Sequence, residues 1–144
     1  MPKYWQMELH FKTYCDKTNL KQVRDFVSES LNKNGIVGPD ASMMVLAVDE
    51  ICANLIIHSN NCDGEKHIDL FMHFLGNQLH ITIKDYGLAF NYEETQEVQL
   101  EKLIAEKRKG GLGLMLVKKI MDEVRYETCF SHNCWVLSKT LKQI

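Results

Sequence analysis

The chain has 144 residues, enough for one domain with a sizeable core. Its 45% hydrophobic and 25% charged residues, with a net charge of −2, exclude a disordered chain and a general polyanion-binding surface, so direct nucleic-acid binding is not expected. No uninterrupted apolar run reaches spanning length, the start "MPKYWQMELHFK" alternates instead of forming a signal-peptide core, and five cysteines without a CxxC pair read as reduced thiols of a cytoplasmic protein away from the membrane.

Residues Tyr4–Lys12 alternate, with Trp5, Met7, Leu9 and Phe11 on one face, and predict a half-buried strand. Leu20, Val23, Phe26, Val27 and Leu31 then recur at helical spacing. "NGIVGPD" ends that helix and begins another, with Gly35 past one end and Pro39–Asp40 at the head of the next. The second helix runs from about Ala41 to His58 and is largely apolar, yet carries Glu50, Asn54 and His58. A step of four residues returns to nearly the same face, so these three share a stripe. Burying an unpaired polar group costs about 1–3 kcal/mol, so something other than packing should meet that stripe.

"SNNCDGEK" is a turn-rich loop. Two alternating strands follow, His67–Leu75 and Gln78–Asp85, joined by a tight Gly76-Asn77 turn. That register sets Phe74 opposite Leu79, Met72 opposite Ile81 and Leu70 opposite Ile83. On the other face it pairs Asp69 with Lys84, and His73 with His80 as an exposed cross-strand pair instead of a metal site. Asp85 falls on the face of Ile81 and Ile83, an acid at the end of a core-facing row.

Residues 91–109 are charged, with a short amphipathic core of Leu100, Leu103 and Ile104. "GGLGLMLVKKIMDEV" is glycine-rich, then helical with Leu114, Val117 and Met121 facing in. Closing strands are expected at about Arg125–Ser131 and Cys134–Leu141. The order predicts an α+β fold over residues 1–144, a single-domain two-layer α/β sandwich. Helices would cover one face of a mixed, mostly antiparallel sheet.

Three motifs carry chemistry. In Glu50-x-x-x-Asn54, the Asn carbonyl oxygen suits Mg²⁺, and a Glu one turn earlier can accept a proton; a polar patch on a helix surface is the plainer alternative. In "DYGLAF", Asp85 can accept a hydrogen bond from an exocyclic amine, and Gly87 lets a flat ring approach the backbone; a turn ending a strand looks the same. In "KGGLGLMLVKK", glycines before a helix expose N–H groups where phosphates bind, unless the segment is only a flexible loop.

In this order, the three resemble the N box and the two glycine boxes of the GHKL ATP-binding superfamily, over about Leu9–Leu141. "LAVDEICANLIIH", "ITIKDYGLAFNYEE" and "GGLGLMLVKKIMDEVRYE" are similar to bacterial anti-sigma serine/threonine kinases. The resemblance implies a kinase that binds ATP and Mg²⁺, holds a sigma factor, and phosphorylates a serine on a small anti-anti-sigma (STAS-type) partner. It makes Glu50 the general base and Asn54 the Mg²⁺ ligand. Asp85 would read the adenine amine, with Gly87 beneath the ring and Ala89 closing the first glycine box. Gly110, Leu112 and Leu114 would share the phosphate-binding turn with Gly111 and Gly113. Residues 91–109 would be the ATP lid, with Arg108 or Lys109 near the phosphates. A homodimer through the first strand is also implied. One departure stands out: Asn133-Cys134 replaces the usual Gly-Thr, which removes a Thr hydroxyl near the adenine. The alternative from another class is a non-catalytic nucleotide-binding regulatory module of the same fold. A histidine-kinase catalytic half fits less well, because the chain has no room for the hairpin carrying a phospho-accepting His.

Overall fold

Alternating side chains build the sheet. A computed structural model describes residues 6–87, 108–128 and 131–141. Strands β1 (Gln6–Tyr14), β2 (His67–Leu75), β3 (Gln78–Asp85), β4 (Glu123–Thr128) and β5 (Asn133–Thr140) form one sheet in the order β1-β2-β3-β5-β4. All four pairings are antiparallel. The β2–β3 register is the one predicted, from Phe74 opposite Leu79 to Asp69 opposite Lys84. Gly76 turns the hairpin with φ +59°, a conformation that costs glycine nothing. Trp5, expected in the first strand, lies outside the described residues.

One face of the sheet carries Leu70, Met72, Phe74, Leu79, Ile81, Ile83 and Leu137, all essentially buried. Three helices cover it. α1 (Leu20–Lys33) contributes Val23, Val27 and Leu31. It ends where Gly35, at φ +81°, donates to Asn32 O at 3.1 Å and Ile36 N reaches Leu31 O at 3.0 Å, the paired bonds of a glycine-closed helix end. α2 (Gly38–Asn54) starts three residues earlier than predicted, with Pro39 in its first turn where no N–H is needed. α3 (Arg108–Ile120) follows, and Leu114, Val117 and Met121 are buried as expected.

Two expectations for α2 change. Past Asn54 the chain makes a wide turn, Leu55–Ser59, in which Asn60 N bonds Leu55 O at 3.0 Å. An i→i+5 bond takes up one extra residue in this turn, and His58 is exposed where Glu50 and Asn54 are half-buried. Because the helix continues through this turn, Gly38–Ser59 reaches 22 residues at mean hydropathy 1.5, long and apolar enough to span a bilayer by length and composition. That corrects the reading of the sequence. In this fold Ala41, Met44, Ala47, Val48, Ile51 and Cys52 spend that apolarity on the core.

Candidate functional site

The sequence stripe on α2 faces α3. Glu50 and Asn54, one turn apart, are both half-buried. A Cβ at Gly113 would collide with Glu50 Oε2 and lie 3.0 Å from its Cδ, so the Glu50 carboxylate occupies the space that a side chain at 113 would take. Gly110, Gly111 and Gly113 lie inside α3, which begins at Arg108. The expectation of a turn preceding the helix is thereby corrected. The glycines occupy the first two turns, and at Gly113 the missing side chain leaves room for the Glu50 carboxylate. Arg108 and Lys109 open the helix, Leu112 sits in its second turn, and the Leu114 side chain is in the core. Ala89 and the remainder of the expected lid up to residue 107 lie outside the described residues.

At the far end of β3 the core-facing row ends in Asp85, 1% exposed. Asp85 pairs with Asn133 on β5, which pairs with Thr128 on β4, giving a polar rank across three strands where hydrophobic residues would continue the core. Asn133 Nδ2 donates to Gly87 O at 3.3 Å. A hydroxyl is expected to be missing at Cys134, but the rank of Asp85 and Asn133 carries another in Thr128, whose buried Oγ1 has no partner among the described residues.

Asp85 Oδ2 accepts from Asn60 Nδ2 at 3.1 Å and from Gly87 N at 3.3 Å. Asp85 Oδ1 is buried and unpartnered among the described residues. Gly87 has a packing reason to be glycine: a Cβ there would stand 2.6 Å from Asn60 Oδ1 and 3.2 Å from Asp85 Oδ2.

The opposite face of the sheet anchors the same segment. Tyr86 donates its hydroxyl to Asp69 Oδ2 at 2.6 Å, while His10 Nε2 lies 2.8 Å from Asp69 Oδ1 and His67 Nε2 3.3 Å from Oδ2. Burial opposes ionisation of Asp69, but the Tyr86 and His10 hydrogen bonds outweigh it and hold its carboxyl below the ordinary range. Burial, then the Asp69 contact, pushes the Tyr86 phenol up to about 12. Lys84, opposite Asp69 in register, instead sets its ammonium 5.1 Å over the Phe71 ring. The expected Asp69–Lys84 charge pair is therefore replaced by a cluster that includes β1.

Asn60, Thr128, Tyr86 and Asp69 were not singled out as site residues in the sequence. Asn60 lies in a loop rich in polar residues, and nothing local marks it. Asp69 carried one signal, an acid within a strand that also bears histidines.

The donor set suits a Mg-nucleotide. An unmet buried carboxylate oxygen matches an amine, and a hard Asn oxygen beside a Glu matches Mg²⁺ with its waters. Among the described residues, no three His, Cys, Asp or Glu side chains converge on a metal position.

The model of the Histidine kinase-like ATPase domain family matches residues 15–139. Similar proteins include three named Serine-protein kinase RsbW. That of Bacillus velezensis is 24% identical over 110 residues, spanning 74% of this chain and 69% of that protein. That of Halalkalibacterium halodurans is 30% identical over 106 residues, spanning 71% and 64%. That of Staphylococcus aureus is 31% identical over 109 residues, spanning 71% and 67%. The solved RsbU and RsbW domains of Rv1364c from Mycobacterium tuberculosis share the fold, with TM-score 0.69 at 17% identity over 96% of this chain and 33% of that one.

Proposed function

Since the chain belongs to the Histidine kinase-like ATPase domain family, we propose that it is an anti-sigma-type serine/threonine kinase of the cytoplasm. It would bind Mg-ATP and phosphorylate a serine on a small STAS-type partner that competes with a sigma factor. The observation that carries this reading is the contact between Glu50 and Gly113: a carboxylate able to take a proton lies against the glycine-rich first turns of a helix. Exposed N–H groups at such a helix end favour phosphate.

Each residue has a role in that reading. Asn54 would hold Mg²⁺, Asp85 would accept from the adenine amine, and the start of α3 would cradle the phosphates. When bound, ATP would supply the γ-phosphoryl group, ADP leaving as the β–γ bridging bond breaks, and Mg²⁺ would offset the charge. Glu50 would orient the serine hydroxyl and take its proton as that oxygen bonds phosphorus. Positioning and electrostatic stabilisation would supply most of the rate.

Incubation of the purified chain and its Glu50→Gln variant with γ-labelled Mg-ATP and candidate STAS-type proteins tests the reading. The expected outcome is label on serine with the wild type only, both forms binding ATP alike. ATP binding without transfer to any partner would leave the non-catalytic regulatory module in its place.

A further inference from the structure

The wide turn at the end of α2 delivers one side chain to the base end of the candidate site. Asn60, fully buried, uses both amide hydrogens: Nδ2 donates to Leu55 O at 2.8 Å and to Asp85 Oδ2 at 3.1 Å. Those two acceptors fix the amide orientation, because an oxygen in that place would face both of them. Asp85 Oδ2 also takes the Gly87 N–H, so this oxygen is occupied. Two acceptors are left on two touching side chains, Asn60 Oδ1 and Asp85 Oδ1, both buried and without a partner among the described residues.

An isolated buried acceptor is costly, and two together call for a group with two hydrogens to donate. An exocyclic amine has two. A keto oxygen in the same place would be a third acceptor among acceptors.

We propose that Asn60 is a second base-specificity residue. Its Oδ1 forms, with Asp85 Oδ1, a paired acceptor set for the exocyclic amine of adenine, and its Nδ2 holds the Asp85 carboxylate so that Oδ1 is left for the base. This deepens the nucleotide reading above and rests on it. Purines bearing a 6-keto group are rejected by the same two oxygens.

The test compares binding of ATP with that of purine riboside triphosphate, which has hydrogen in place of the amine. Calorimetry on the wild type and on Asn60→Ser gives the four affinities. The wild type should prefer ATP, and in Asn60→Ser that preference should shrink by roughly tenfold while the analogue binds nearly as before. Equal weakening of both nucleotides would make Asn60 only a brace for the loop and overturn the proposal. A wild type that binds neither nucleotide would overturn the ATP reading itself, and this proposal with it. Should Asn60→Ser not fold, the side-chain amide resonances of Asn60 in the wild type decide. A shift with ATP but not with the analogue supports the proposal, and the same shift with both refutes it.

Discussion

Gly113 of α3 lies directly against the carboxylate of Glu50 on α2, with no space for a methyl group between them. A helical Gly→Ala change ordinarily stabilises by about 0.5–1 kcal/mol. Here the new Cβ meets the far end of the Glu50 side chain, which can swing aside at little cost, so the fold should keep most of that gain while the carboxylate loses its place. Gly113→Ala is expected to leave Tm unchanged or slightly raised and to cut phosphoryl transfer by roughly a hundredfold or more, as losing a positioned base does. Thermal melts and single-turnover assays on the same preparation check both effects.

Asp85→Asn keeps the shape but replaces an acceptor-only group with one that must donate. Asn60 Nδ2 and Gly87 N already point at this position, so the new amide cannot satisfy every neighbour. Affinity for Mg-ATP should fall by at least about tenfold, or roughly 1.4 kcal/mol. Calorimetry measures it directly, and an unchanged affinity would remove Asp85 from the base site.

Asp69 gives a prediction in pH. Its folded carboxyl titrates below the ordinary aspartate range, so its contribution is present above the unfolded pKa and is lost as pH falls through the folded one. Asp69→Asn should therefore lower Tm at pH 7 by more than at pH 3, which lies below the ordinary aspartate pKa of about 3.9, so that the advantage of the wild type has begun to fall. Denaturation curves of both forms across that range should converge toward acid. A constant gap would show that the Asp69 charge contributes nothing.

Gly35 separates backbone cost from packing. Its φ is +81°, and a Cβ built there has nothing within 4 Å. Gly35→Ala should cost about 1–2 kcal/mol from conformation alone, since an L side chain disfavours that region. Urea denaturation should show a lower midpoint with an unchanged m-value.

Local patterns made much of the fold legible. Alternation plus Gly76 fixed the β2–β3 register residue by residue, and that register put Asp85 on the core face. Helical spacing found the buried residues of α1 and of α3. What failed depended on partners distant in sequence or on a departure from α geometry. Lys84 looked like the partner of Asp69 because both belong to one hairpin, whereas His10 arrives from β1. The wide turn at Leu55–Ser59 departs from α geometry, and with it His58 is exposed and Asn60 buried. Thr128 reached the rank of Asp85 through two further strand pairings, neither written in its own neighbourhood.

The connectivity also sets an order of assembly. Among the described strands, β2–β3 and β4–β5 pair across short connections, while β1 must find β2 from Tyr14 across to His67 before its ladder can close. Closing long loops costs entropy before contacts repay it, so the two hairpins should form early and the β1 ladder late. Glu50 against Gly113 and Asp85 beside Asn133 likewise join distant segments. A ligand held by such late contacts would recognise only the finished molecule, and would slow unfolding while leaving the folding rate nearly untouched.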